Sequence, residues 1–270
     1  MRNRVFRLSD PSVTKLKCPL VLEINGPPTH RRHPRMLVRL AAFPKRYSEI
    51  RKVAGLVCVD NSVKDFYVPD IVNTPTLVLG NGIDLRSAQT LPPATGKPSV
   101  AMIVSSPAPQ HGWKLLYKLA SCLDNYNFHV IGVTRNDLLN SIKINIPSNI
   151  TCHGRMQREQ FTPVLQKCSV GIGSLGWENI GRTENSSLKI REYLANGLAV
   201  AAADSDVDID SNSIFWHQIN SSENTDTEAD KLRTFIDFWH GRRVKKKHIS
   251  NLDTLKKESI RIRFLKSFTN

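Results

Sequence analysis

The sequence has no apolar run approaching the ~18 residues that a membrane-spanning helix requires, so no span is expected along its 270 residues. It has no CxxC pair and an odd number of cysteines. Cys18, Cys58, Cys122, Cys152 and Cys168 are scattered, and His153 beside Cys152 is an isolated neighbour. That argues against a disulfide framework and a zinc site, and for free thiols in a reducing compartment. The opening stretch MRNRVFRLSDPSVTKLK is basic but has no apolar core region, so no secretory signal is expected there. No internal repeat with a solenoid or propeller period is visible. Also absent are the aromatic-interleaved sheet motif, the zinc knuckle and the helix-turn-helix pattern that accompany nucleic-acid recognition, so no specific nucleic acid is expected as a partner.

What is present is apolar material and unevenly placed charge. Hydrophobic residues make up 40% of the chain, enough for a sizeable core, and the length suggests two domains at about 150 residues each. The net charge is +14. Residues 31–52 carry +7 and residues 231–270 carry +9, so the remaining chain is close to neutral. Two basic patches of this kind suit an anionic lipid surface, a nucleic acid or a phosphorylated ligand, and equally a plain solvated surface.

Short apolar runs alternate with helical patterns. PLVLEIN (19–25), AGLVCVD (54–60) and TPTLVLGNGID (74–84) read as strands, the last ending in a glycine turn. PRMLVRLAAFPKRYSEIRK (34–52) is basic and amphipathic, with a break near Pro44. LRSAQTLPPATGKP, rich in Pro, Thr and Ala, marks a linker at 86–98. The pattern then restarts, with strands expected at 99–106, 128–133, 149–154, 169–174 and 198–204. Helices are expected at 112–124, 158–168, 186–197, 227–241 and 254–268, and polar loop at 205–226. Strands alternating with helices predict an α/β fold of two Rossmann-like units, parallel sheets with helices on both faces, the first unit incomplete. The expected division is a partial first unit at 1–85, the linker 86–98, a nucleotide-binding unit at 99–240, and a basic C-terminal helix at 241–270 packing back toward the first unit.

Ligands of open parallel sheets bind outside the carboxyl ends of the strands. GIGSLGWENIGRTEN, leading into the helix expected at 186, sits at such a place. The amides at a helix start and its partial positive charge suit phosphate, with Asn185, Ser186 and Ser187 adding small polar groups. Ser186 also reads simply as an N-cap. Glu184 and Glu192 flank this start, one ahead of the helix and one in its second turn. They could hold the two sugars of a nucleotide-sugar on either side of its diphosphate, or be two solvated glutamates. Trp177 could stack on a base or pack internally. Gly171, Gly173 and Gly176 spell GxGxxG, but residues 177–183 follow instead of a helix, which argues against a dinucleotide fingerprint.

ENSSLKIREYLANGLAV resembles the donor-site signature of family-4 retaining glycosyltransferases: two glutamates separated by seven residues, then an aromatic or small residue, Ala, Gly and an apolar pair. VLGNGID (78–84) is similar to that family's turn at the end of the first domain. PLVLEINGP and ITCHGRMQREQFTPVLQKCSVGIGS resemble two further stretches in the family's order. The resemblance covers roughly residues 19–206. It implies a GT-B fold, two Rossmann-like domains across a cleft, with a nucleotide-sugar donor as substrate, no cofactor and no metal. It also implies a glycan or glycolipid acceptor, in cell-surface polysaccharide or lipopolysaccharide synthesis. Under it Glu184 lies near the donor sugar and Glu192 holds the ribose. The amides of Asn185, Ser186, Ser187 and Leu188 face the diphosphate. The sequence departs from the pattern in the loop SSPAPQHGWKLL, where Ser106 and His111 stand at the positions of an Arg and a Lys. His111 and Lys114 are then the candidate catalytic groups of that loop, and Arg182 and Lys189 are further cations in reach of the donor. The first domain is also short. On ordinary domain sizes of about 100–200 residues, some ~80–120 of its residues are not represented. A cytoplasmic location is expected, peripheral on the inner face of an anionic membrane through 31–52. The alternative is an inactive or truncated glycosyltransferase-like subunit that binds a partner or such a membrane.

Overall fold

The computed structural model describes residues 18–26, 53–67, 73–142, 145–176 and 183–269. The basic segment 34–52, Trp177 and Arg182 lie outside them. The chain divides into two compact units, Met1–Gly80 with Lys257–Asn270, and Asn81–Lys256. The segment 86–98 expected as a linker therefore falls within the second unit, and it is held there. Ala88 and Ala94 are buried, the Leu91 N–H donates to the Asn196 carbonyl, and the Ile83 N–H donates to that of Leu252.

The first unit contains β1 (Val21–Ile24), β2 (Gly55–Cys58), α1 (Asn61–Tyr67) and β3 (Thr76–Val78), with β2 central in an all-parallel three-stranded sheet. GLVC is buried along its whole length, as a central parallel strand must be. Ile24, Leu56, Cys58 and Val63 form its small core. The Asp60 carboxylate accepts from the Val63 N–H and starts α1.

The second unit contains β4 (Ser99–Ile103), α2 (Trp113–Cys122), β5 (Asn127–Ile131), α3 (Arg135–Ile142), β6 (Ile150–Cys152), α4 (Arg158–Lys167) and β7 (Val170–Ile172). There follow β8 (Glu184–Asn185), α5 (Leu188–Ala195), β9 (Ala199–Ala202), β10 (Ser205–Asp206), β11 (Trp216–Gln218) and α6 (Thr225–Trp239). The last helix, α7 (Thr254–Lys266), begins in this unit and carries the chain into the first. There Phe264 and Phe268 close over Gly55, where a Cβ would stand 2.5 Å from the Phe268 ring.

Six strands pair in parallel in the order β11-β9-β7-β4-β5-β6. The chain leaves β4 toward one edge and β7 toward the other. Right-handed crossovers then put α2 and α3 on one face and α4 and α5 on the other, with α6 packed beside α2. Most expected elements are found with ends shifted by a few residues. Helix α1, the two-residue strands β8 and β10, helix α3 and strand β11 were not expected. In α3 only Leu138 is buried, so apolar spacing gives no signal. Its start is fixed by polar groups: the Asp137 carboxylate accepts from the Thr134 N–H (2.8 Å), and the Asp137 N–H donates to the Thr134 hydroxyl (3.1 Å). Strand β11 lies inside 205–226, expected to be loop. Its three residues pair with the edge of β9 and leave no longer pattern to read.

Candidate functional site

Strand order reverses between β4 and β7, and a crevice at such a point is where open α/β sheets take ligands. Here the crevice has a specific cause. β4 and β7 pair only at Val100–Val170 and Ala101–Gly171. Beyond that the Tyr193 hydroxyl, reaching in from α5, accepts from the Ile103 N–H (2.6 Å) and donates to the Ile172 carbonyl (3.2 Å). The ring lies so close over Gly171 that a Cβ there would be 2.2 Å from it. Tyr193 is wholly buried, and burial pushes its hydroxyl well above the ordinary phenol range. These glycines therefore serve helix–sheet packing. Gly173 likewise admits Ala202, where a Cβ would sit 2.5 Å from the alanine methyl.

Two loops flank the crevice. One follows β4 and ends in a short 3-10 turn, Pro109–His111, closed by Gly112 at φ +67. A side chain at Gly112 would be strained by that φ and would meet the Leu175 carbonyl at 2.5 Å. The other runs from β7 to α5. At the start of α5 the cap is Ser187, not Ser186, and Ser187 makes no side-chain capping bond. Helix geometry leaves the amides of its first turn without intrahelical partners.

The Ser186 hydroxyl is used differently. It accepts from the Asn81 N–H (2.8 Å) and from Arg191 Nη2 (2.8 Å). Arg191, 3% exposed, sends Nη1 and Nη2 to the two oxygens of Asp206 (2.7 and 2.9 Å). It also donates through Nη2 to Asp208 (2.8 Å) and through Nε to the Asn81 carbonyl (2.7 Å). One guanidinium thus pins the helix start, the turn at 81 and the segment at 206–208 together. Burial raises the Asp206 carboxyl while Arg191 opposes the rise. Such a pair tolerates loss of neither partner.

Two residues earlier on the same helix the opposite holds. The Lys189 ammonium is sealed from solvent and has no hydrogen-bond partner. Asp204 is 2% exposed, and neither carboxylate oxygen has a partner in hydrogen-bond geometry. His111, 7% exposed, has no partner on either ring nitrogen and packs edge-on against Trp113 at 5.7 Å. Lys189 acts on both of the others. Burial lowers the Lys189 ammonium, partly offset by Asp204, and raises the Asp204 carboxyl, opposed by the Asn185 side chain and then by Lys189. Burial, then Lys189, push His111 down to about 3, so the imidazole is neutral at pH 7.

The remaining candidates are distributed around this cluster. Asn185 is buried, and its side-chain oxygen accepts from the Ser186 N–H (2.8 Å). Leu188 is 69% exposed at the helix start. Glu184 lies in β8, which pairs with β10, and is half-buried. Glu192 is in the second turn of α5. Its Oε1 accepts from Arg158 Nη2 (3.0 Å) and Asn196 Nδ2 (2.8 Å). Lys114 is not brought to the cluster. It is exposed on α2 and lines a chamber of about 640 Å³ with Pro109, Gly112, Leu175, Lys118 and Glu223. Ser106 is exposed.

Sequence reasoning missed Arg191, Tyr193 and the aspartates. A signal existed for the aspartates: DSDVDID places Asp204, Asp206, Asp208 and Asp210 at alternate positions, directly after an apolar strand. A buried acid requires a cation, and Lys189 and Arg191 are the charged residues of the preceding helix face.

No protein-family model and no curated protein matches the sequence. Solved structures do match the fold. Sucrose-phosphate synthase from Thermosynechococcus elongatus is similar with a TM-score of 0.65 at 10% identity, over 92% of this chain and 68% of that one. HepE of Anabaena, solved in complex with UDP-glucose, is similar with a TM-score of 0.65 at 11% identity, over 92% of this chain and 72% of its own. A glycosyltransferase from Rickettsia africae matches with a TM-score of 0.61 at 13% identity, over 93% and 70%. The chain covers 48% of its counterpart in the GtfA/B complex. The fold is α/β, of the GT-B glycosyltransferase type.

Proposed function

We propose that this chain is a retaining, family-4-like glycosyltransferase whose second unit holds a nucleotide-sugar at the start of α5. The observation that carries the reading is the pair of buried groups without a hydrogen-bond partner, the Lys189 ammonium and the His111 ring, beside buried Asp204. Buried polar groups without partners are rare in native folds and call for an explanation. An anionic ligand at the adjoining helix start supplies one. In this reading the diphosphate takes the amides of Ser187, Leu188 and Lys189, and the Lys189 ammonium exchanges attraction to Asp204 for attraction to phosphate. Arg182 is a further cation for the same group. Glu192, oriented by Arg158 and Asn196, accepts from the ribose hydroxyls, and Glu184 faces the donor sugar. When the bond from the anomeric carbon to the diphosphate breaks, its electron pair leaves with the diphosphate. Preorganised amides and a desolvated ammonium are suited to that charge. An acceptor hydroxyl forms the new bond to the anomeric carbon and its proton passes to the departing diphosphate oxygen. Lys114, exposed on α2, is assigned to acceptor contacts.

The UDP-glucose bound by HepE supports a nucleotide-sugar donor, and the resemblance of the 184–200 stretch supports retention. By the same resemblance the acceptor is a glycan or glycolipid of polysaccharide or lipopolysaccharide synthesis. The enzyme would work in the cytoplasm at the inner face of a membrane, without cofactor or metal. The test is thermal unfolding of the purified chain with UDP, GDP, ADP, dTDP and CDP. A bound nucleotide at about 100 times its Kd adds ~2.7 kcal/mol. Stabilisation by one of them is expected, and no stabilisation by any would overturn the reading.

One observation favours a second reading, an inactive subunit. The loop after β4 offers a neutral His111 and an exposed Ser106 where the resembling family places cations. That reading expects nucleotide binding with neither transfer nor hydrolysis of any nucleotide-sugar.

A further inference from the structure

A second crevice lies at the opposite end of the same sheet, formed by segments that precede β4 and β11 and follow α6. It encloses about 670 Å³. Phe238, Trp239 and Val244 supply apolar wall, with Ile214 across from them, and Arg242, Lys245 and Lys246 stand at the rim. No acidic side chain lines it among the described residues.

Two of its cations are tied to backbone carbonyls. Arg243 spends its guanidinium on three carbonyls, those of Pro92 (2.9 Å), Gln166 (2.8 Å) and Cys168. Lys246 donates to the Leu85 carbonyl (2.9 Å). Arg242 and Lys245 are exposed, as is Lys247 beside the crevice. Two large apolar side chains at this crevice are exposed too, Ile214 at 60% and Phe238 at 41%. The Arg242 guanidinium lies 4.4 Å from the centre of the Phe238 ring.

Each component has a reason to be there only if the occupant is both anionic and apolar. A free phosphate would satisfy the cations and leave Ile214 and Phe238 in water. A nucleic acid would offer nothing to Ile214, and the ring that could stack on a base already carries a guanidinium. A bilayer offers both: phosphates at the level of the cations and acyl chains just below. Aromatic and cationic side chains combined in this way suit the headgroup layer.

We propose that the crevice of Ile214, Phe238, Arg242 and Lys245 docks the chain on an anionic lipid bilayer. Ile214 and Phe238 enter at headgroup level, and Arg242, Lys245 and Lys247 meet lipid phosphates. The inference does not depend on the donor-site reading, and of the two basic patches it places membrane attachment in 231–270 and not in 31–52.

The experiment is sedimentation of the full chain with vesicles of phosphatidylcholine, alone or mixed with phosphatidylglycerol. Binding to the mixed vesicles only is expected, weakening with salt. Arg242→Gln with Lys245→Gln should lower the partition coefficient about thirtyfold, from about 1 kcal/mol per cation at the surface. Ile214→Ser with Phe238→Ser should lower it about tenfold with the charge unchanged. All four positions are solvent-exposed, and circular dichroism of each variant verifies folding. Arg35→Glu with Arg39→Glu should keep most of the binding. The proposal is overturned if wild type ignores anionic vesicles. It is also overturned if the crevice variants bind as wild type does, if the apolar pair can be removed without loss, or if a single-stranded RNA competes the vesicles away.

Discussion

Arg191 and Lys189 sit two residues apart on one helix, both cations, both buried beside aspartates, and they are treated in opposite ways. Every nitrogen of the Arg191 guanidinium donates to an acceptor within 2.9 Å. The Lys189 ammonium has none, and neither does the His111 ring. A fold that can satisfy one buried cation so completely was not short of acceptors. The difference teaches that burial by itself does not separate structure from function. A charge with all its bonds made holds the scaffold, and a charge with none made is held ready for something else.

The comparison breaks if both cations behave alike on substitution. Arg191→Met strands Asp206 in the interior, and the expected loss is about 3–5 kcal/mol of unfolding free energy, read from urea denaturation. Lys189→Met with Asp204→Asn removes two charges that no hydrogen bond supports, and replacement of a buried pair by neutral groups is commonly neutral or stabilising by about 1–4 kcal/mol. The same denaturation series should therefore show the double variant at or above wild type, and titration calorimetry should show its nucleoside diphosphate affinity reduced by about tenfold or more, the equivalent of ~1.4 kcal/mol.

Acid sharpens the contrast. His111 is held neutral in the folded chain, with its pKa near 3, while an unfolded histidine titrates near 6.5. The unfolded state therefore gains a proton first. The stabilisation is full above about pH 6.5 and is lost as pH falls toward 3, by up to about 1.4 kcal/mol per pH unit for one histidine. His129, held down to about 4 by burial and then by His153, adds to the same slope. His111→Gln should flatten the acid limb of a stability–pH curve, and an unchanged limb would mean the ring is not sequestered. The smallest effect belongs to Glu192→Ala. Its ion pair with Arg158 is open to water on the arginine side, 61% exposed. Less than about 1 kcal/mol of stability should go with it, while nucleoside diphosphate affinity measured by calorimetry falls. Equal affinity would remove the proposed ribose contact.

The sequence made part of this visible. Apolar runs and helical spacing located nearly all the long elements, because α2 buries Trp113, Leu116, Tyr117, Leu119 and Ala120 on one face and β9 is buried throughout. The helix start near 188 was readable from two glutamates, two serines and a closing glycine. The tie of residues 81–98 to the second unit was not, since carbonyls far apart in the chain accept from Arg243 and Lys246 and composition does not encode such bonds. The partners of Arg191 were hidden for the same reason: Asn81 is 110 residues away. Ser186 read as a cap because a serine before a helix ordinarily is one. Here Arg191 competes for its hydroxyl and wins.

The central claim is that a nucleoside diphosphate binds at the start of α5 over Lys189. Amide chemical shifts of the nitrogen-15-labelled chain, followed while the stabilising nucleotide is titrated in, test it at the level of residues. The account predicts that the amides of Ser187, Leu188, Lys189 and Ile190 move together and saturate with the affinity found by calorimetry. Shifts confined to the Lys114 chamber or to the 238–248 crevice, with 187–190 unmoved, would contradict it.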